Sequence, residues 1–217
     1  MTIDNMDIDL DDRRNNSTLA AWGRLVRLHT AIPTSLVAMA TYITTQSITL
    51  TGGVFIILIG STMHMSICTM NDYLDYESDK NDIEKTMRPL VNGDISLDDA
   101  KQFIFISAIT SLSIAMIAGA YVFLVTLVGF FFATTYNYYS GQAVHGDVWY
   151  VAAILALGSL GIVVAGTYTL GTVAMMLVLT IHGFYQVQEG HMKDLGVDEK
   201  NIIQWLGVRK VGNNRVI

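Results

Sequence analysis

The chain has 217 residues, a net charge of −6, 52% hydrophobic residues, only 15% charged residues and a mean hydropathy of +0.42. A soluble domain carries about 25% charged residues, so the balance argues against a soluble globular protein and for a membrane one. No basic stripe or basic–aromatic pattern is present, which argues against a nucleic-acid partner.

The chain opens on an acidic stretch with Asp4, Asp7, Asp9, Asp11 and Asp12. It lacks the basic start and short apolar core of a signal peptide. Its composition predicts a disordered tail over 1–18, followed by a membrane domain over 19–210 and a short tail over 211–217.

Charge is absent between Arg27 and Asp72, between Lys101 and Asp147, and between Asp147 and Glu189. A transmembrane helix needs about 20 apolar residues, so each gap is too long for one span and suits two. Turns are expected at Thr51-Gly52-Gly53, at Ala118-Gly119-Ala120, and between Gly166 and Gly171. The expected spans are 28–49, 53–71, 102–118, 121–140, 148–166 and 170–188. Backbone in hydrocarbon must satisfy its own hydrogen bonds, so these are helices. The fold class is therefore all-α, a polytopic bundle of six spans in three hairpins. Gly158-x-x-Gly161 suits close helix packing. Cys68, the only cysteine, falls inside the second span and forms no internal disulfide.

All thirteen Lys and Arg residues fall at one end of this arrangement, with both termini and the 72–101 and 141–147 connections. By the positive-inside rule that end is cytoplasmic.

Two polar segments at that end are too acidic to be plain connectors. After the second span, Asn71, Asp75 and Asp79 follow at i, i+4 and i+8, with Asp72 beside them. A continuing helix would carry these oxygens on one face, where like charges repel. A hard divalent cation such as Mg²⁺ turns that repulsion into attraction. Asp194 and Asp198 repeat the spacing after the sixth span. A lone D-x-x-x-D reads as a solvated helix end. Two of them at corresponding hairpin ends, on a charge-free bundle, read as a metal site facing a cavity.

Asn71-Asp72-x-x-Asp75-x-x-x-Asp79 resembles the first aspartate-rich motif of the UbiA superfamily of intramembrane prenyltransferases. Arg88-Pro89-Leu90-x-x-Gly93-x-Ile95-Ser96 resembles the segment that follows it there. Asp194-x-x-x-Asp198 with Leu206-Gly207 resembles the second motif, and Arg27 with Ile32-Pro33-Thr34 fits the first helix. The resemblance covers roughly 20–210. It implies transfer of a prenyl group from an allylic isoprenoid diphosphate to a lipophilic, usually aromatic, acceptor within the lipid membrane. It also implies Mg²⁺ held by Asn71, Asp72, Asp75, Asp79, Asp194 and Asp198. Of these, Asp72, Asp75 and Asp194 are expected to serve catalysis together with Tyr136, whose ring would face a carbocation. Arg88 and Lys193 are expected to contact the diphosphate.

Three departures qualify the resemblance. The family typically has nine helices, and the chain stops just after the second motif. A fragment, a partner chain that supplies helices seven to nine, and a degenerate protein are the three readings of this. No basic residue follows Tyr136 within Asn137–Gln142, and His191 and Val197 replace an acid and a glycine of the second motif. A terpene cyclase and an inactive binding or assembly subunit remain alternatives. The absence of D-G-x-x-A-R argues against a CDP-alcohol phosphotransferase, and the absence of charge inside the spans argues against an ion transporter.

Overall fold

A computed structural model describes residues 18–139 and 146–193, with backbone only at 146 and 187–193, and the strand residues 210–211 and 215–216. The acidic stretch 1–17, Asp194 and Asp198 lie outside the described residues. Helix α1 covers 18–25. It is followed by α2 (Leu28–Tyr42), α3 (Leu50–Leu74), a single turn α4 (Tyr76–Asp79) and a 3₁₀ turn (Ile83–Lys85). Then come α5 (Leu97–Ala118), α6 (Ala120–Tyr139), α7 (Gly146–Ala165) and α8 (Leu170–Lys193). Two short strands, β1 (Lys210–Val211) and β2 (Arg215–Val216), pair antiparallel. The described protein is otherwise helical.

Among the described residues four helices are long and apolar enough to cross a membrane: α3, α5, α6 and the Asp147–Ala165 part of α7. The apolar stretch Leu170–Gln186 of α8 is shorter. So is α2, with 15 residues. The first expected span, 28–49, thus ends early. The reason is local: Thr44 and Thr45 donate their hydroxyls to the carbonyls of Thr41 (2.6 Å) and Tyr42 (2.7 Å), which supplies partners at the helix end.

The turn expected at Thr51-Gly52-Gly53 lies instead at 43–49, and these residues form the first turn of α3. Thr49 caps that helix, accepting from the Gly52 amide at 3.0 Å. Gly52 is needed for close approach, because a Cβ there would overlap the Tyr42 hydroxyl. That hydroxyl accepts from the Thr49 amide at 2.6 Å and so closes the connection. The turn expected at Gly119 is present, with φ of 144° between α5 and α6.

The helices close into a ring in which α2 packs on α3 and α7, α3 on α5, α5 on α6, and α6 on α7, with α8 outside α7. Small side chains and single hydroxyls tie them together, as membrane packing requires. Ser66 donates to the Ile104 carbonyl (3.0 Å), Ser111 to that of Ile59 (3.1 Å), and Thr41 to that of Gly158 (2.5 Å). Asn137 donates to the Ile67 carbonyl at 3.0 Å. Gly161 lies so close to α2 that a Cβ would overlap the Ala38 carbonyl and Thr41.

The core at the 43–49 end includes Ala38, Tyr42, Ile56, Ile59, Leu157 and Leu160. A second cluster of Ala21, Leu25, Leu90, Ile95 and Ala100 seats α1 against the 80–100 segment at the opposite end. Ser96 caps α5 by accepting from the Asp99 amide at 3.0 Å, and its hydroxyl donates back to the Asp99 carboxylate at 2.7 Å.

Candidate functional site

Between α2, α3, α6 and α7 lies a cavity of about 360 Å³. Its polar wall carries Arg27 and Asn71, and its deeper wall is apolar, with Gly60, Met63, Ile154 and Leu157. Tyr136 and Tyr150 also line it, their ring centroids 5.1 Å apart in an edge-on arrangement.

The acidic segment forms the roof of this polar end. It is not one continuous helical face. Helix α3 stops at Leu74, Asp75 is a turn residue, and α4 restarts at Tyr76. Asn71 and Asp75 still meet, with the Asn71 amide donating to the Asp75 carboxylate at 3.1 Å. Asp79 is fully buried, and its amide donates to the Asp75 carbonyl at 2.9 Å.

The four carboxylates differ sharply in their partners. Asp72 is buried and accepts from Arg27 at 3.0 Å and from Arg88 at 3.4 Å. Asp79 accepts from Lys85 at 2.7 Å and also from Arg88. The Arg88 guanidinium therefore bridges Asp72 and Asp79. Glu77 pairs only with Lys80 on the exposed side. Asp75 is half-buried, and its carboxyl is pushed above the usual carboxylate range, first by burial and then by the Asp79 charge, against the opposing pull of Arg88 and Lys85. The Lys85 ammonium is held above its ordinary value by its hydrogen bond to Asp79.

Arg27 reaches this cluster through an unusual backbone. It sits in the left-handed region at φ 49°, ψ 51°, where α1 ends and α2 begins. Non-glycine residues rarely occupy that region. The break redirects the chain and leaves the Arg27 side chain between the cavity and Asp72.

The donor set suits a hard cation. Asn71 and Asp75 bring an amide and a carboxylate together, and Mg²⁺ prefers such oxygen ligands. Among the described residues no three His, Cys, Asp or Glu side chains converge closely enough to hold a metal alone. The second half of the expected set, Asp194 and Asp198, lies outside the described residues. Lys193 ends α8, with its backbone alone described. The Tyr150 hydroxyl donates to Gln186 at 3.2 Å, so the C-terminal half of α8 runs beside the start of α7, at the acidic end.

Of the sequence-predicted residues, Asn71 and Tyr136 line the cavity, and Asp72, Asp75, Asp79 and Arg88 gather at its roof. Arg27, His64, Cys68 and Tyr150 are among the cavity residues that escaped the sequence reading as site residues. The His64 ring nitrogens lie 2.9 Å from the Thr30 hydroxyl and 3.0 Å from that of Thr34, and Cys68 lies 3.3 Å from Nε2. A signal for two of them existed. Counting back from Asn71 by helical turns reaches Ile67 or Cys68, then His64, then Gly60, which is the cavity face of α3.

The fold and sequence agree with known proteins. A UbiA homologue from Archaeoglobus fulgidus bound to DMAPP and Mg²⁺ has a similar structure, with a TM-score of 0.73 and 19% identity over 86% of this chain and 69% of that one. A digeranylgeranylglyceryl phosphate synthase superimposes with a TM-score of 0.70 and 20% identity over 82% of this chain and 66% of that one. A UbiA homologue from Aeropyrum pernix K1 gives 0.64 and 17% identity over 85% and 70%. No curated protein sequence matches the chain significantly. The model of the UbiA prenyltransferase family matches residues 31–217, which takes in the acidic roof and every cavity residue but Arg27, and the chain therefore belongs to the UbiA prenyltransferase family.

Proposed function

We propose that this chain transfers a prenyl group from an allylic isoprenoid diphosphate to a lipophilic acceptor in the membrane, with Mg²⁺ bound at the acidic roof. The observation that carries this reading is a single cavity with an oxygen-rich, arginine-flanked mouth and an apolar body. A prenyl diphosphate has the same division, a charged head on an apolar tail. Structures of the A. fulgidus homologue bound to DMAPP or GPP with Mg²⁺ support the choice of ligand.

Asn71, Asp72 and Asp75 would hold the metal from one side, with Asp194 and Asp198 from the other. Helix α8 runs toward the acidic end and stops at Lys193, and the second pair comes next in the sequence. When bound, Mg²⁺ neutralises charge on the diphosphate leaving group. Arg88 and Lys193 would supply donors to the phosphate oxygens; the planar guanidinium of Arg88 suits bidentate contact. The apolar walls hold the prenyl chain and exclude water, which would otherwise quench an allylic cation. Tyr136 and Tyr150 present ring faces to that cation. The acceptor, aromatic or another lipophile, attacks the allylic carbon and loses a proton. The clustering of basic residues at this end supports a cytoplasmic mouth.

The test is consumption of geranylgeranyl diphosphate by membranes that contain the chain, with a pool of aromatic and glycerol-phosphate acceptors. Acceptor-dependent prenylated product is expected, lost on chelation of Mg²⁺ and lost in Asp75→Asn with membrane insertion intact. Full turnover in Asp75→Asn would overturn the metal assignment. A cyclised product formed without acceptor would replace transfer with cyclisation.

A further inference from the structure

Aspartates of one motif need not share one task, and here their surroundings separate them. Asp79 is 0% exposed, and both of its oxygens are taken by cations. Oδ1 accepts from Lys85 Nζ at 2.7 Å and Oδ2 from Arg88 Nη1. Asp75, by contrast, receives one neutral donor, the Asn71 amide at 3.1 Å. Asp79 follows Asp75 by one turn, its amide donating to the Asp75 carbonyl at 2.9 Å, so the two differ in side-chain partners and burial. A metal ligand needs an oxygen that no cation already holds. Asp79 has none, because Lys85 and Arg88 take one oxygen each and so fix the guanidinium firmly. At Asp72 both arginines bond Oδ1, and among the described residues no cation bonds Oδ2. Arg88 in turn reaches Asp72 at 3.4 Å, so its place beside the cavity mouth is set by the Asp79 pair.

We propose that Asp79 is a positioning residue, which anchors the segment 80–96 through Lys85 and Arg88 and sets where the Arg88 guanidinium meets the diphosphate. The metal is left to Asn71, Asp72 and Asp75 on this side of the site. The inference deepens the proposed function and rests on it for the identity of the ligand.

The experiment uses the full chain in lipid nanodiscs. It measures Mn²⁺ binding by spin resonance, binding of inorganic pyrophosphate in the presence of Mn²⁺, and amide hydrogen exchange across 83–95. Asp79→Asn is expected to speed exchange across 83–95 while Mn²⁺ affinity changes by less than about twofold; Asp75→Asn is expected to weaken Mn²⁺ about tenfold or more. Pyrophosphate affinity should fall about tenfold in Asp79→Asn and in Arg88→Gln, with the double variant no weaker than Arg88→Gln alone, because one residue acts through the other. Additive losses in the double variant, or Mn²⁺ loss in Asp79→Asn equal to that of Asp75→Asn, would overturn the assignment. Lys85→Met keeps the test open if Asp79→Asn does not fold. It should speed the same exchange with Mn²⁺ binding unchanged, and unaltered exchange would count against the anchor. Wild-type chain that binds no Mn²⁺ would sink the metal reading itself, while exchange in the two anchor variants would still decide the role of Asp79.

Discussion

Tyr136 sits where the polar mouth of the cavity meets its apolar body, edge-on to Tyr150 at 5.1 Å. A ring face attracts a cation through its quadrupole, by about 2 kcal/mol when the site is desolvated. If that is its task, the ring matters and the hydroxyl does not. Tyr136→Phe should then retain prenyl transfer near the wild-type rate. Tyr136→Ala should lose about tenfold or more in kcat, the equivalent of roughly 1.4 kcal/mol of barrier. Steady-state kinetics on the two variants separates the cases, and equal losses in both would assign the work to the hydroxyl. At this scale the sequence was informative wherever chemistry was written in spacing. Asn71, Asp72, Asp75 and Arg88 do meet around one mouth. It placed Arg27 with the first helix but gave it no task, because its reach to Asp72 depends on a left-handed backbone that no spacing announces. It also suggested equal roles for Asp75 and Asp79, because i, i+4 counting does not show that Lys85 and Arg88 fold back onto Asp79.

Helices were legible from charge-free length, and their ends were legible only where the ending is local. Gly119 at φ 144° is such a local feature and stands where the sequence points. Thr51-Gly52-Gly53 misled because a glycine marks either a turn or a close approach, and here the neighbour is the Tyr42 hydroxyl. Gly161 is a close-approach glycine of the same kind, and its importance can be tested. It faces the Ala38 carbonyl and the Tyr42 nitrogen across the α2–α7 crossing, both backbone atoms that cannot yield cheaply. Gly161→Ala should force the helices apart and cost about 1–3 kcal/mol. Gly53→Ala, whose Cβ would find only the flexible end of Met39 at 3.6 Å, should be nearly neutral or slightly stabilising through helix propensity. Thermal unfolding of both variants in detergent gives the comparison, and equal melting points would mean that the α2–α7 crossing is looser than its geometry implies. Because α2 and α7 both line the cavity, the Gly161 variant should also lose activity ahead of its loss of fold.

The bundle as a whole is polarised. At one end Arg24 pairs with Asp94 at 2.9 Å, and Arg27, Lys85 and Arg88 engage Asp72 and Asp79. At the other end the connections 43–49 and 166–169 meet through neutral hydroxyls, with Thr169 donating to the Thr44 carbonyl at 2.8 Å. No Lys or Arg occurs in either of those connections. Translocating a connection without positive charge is the easier course during insertion, so the hydroxyl end should face away from the cytoplasm and the diphosphate should enter from the cytoplasm. Single cysteines in a Cys68→Ser background test this directly. Tyr168 is 78% exposed at the hydroxyl end, and Ser78 is exposed at the acidic end. In intact cells a membrane-impermeant maleimide should label Tyr168→Cys, and should label Ser78→Cys only after the membrane is opened. The reverse pattern would place the acidic mouth outside, away from a cytoplasmic supply of diphosphate, and would require a different source for the substrate. Labelling of both from the same side would break the antiparallel order of the helices and with it the assembly of the site.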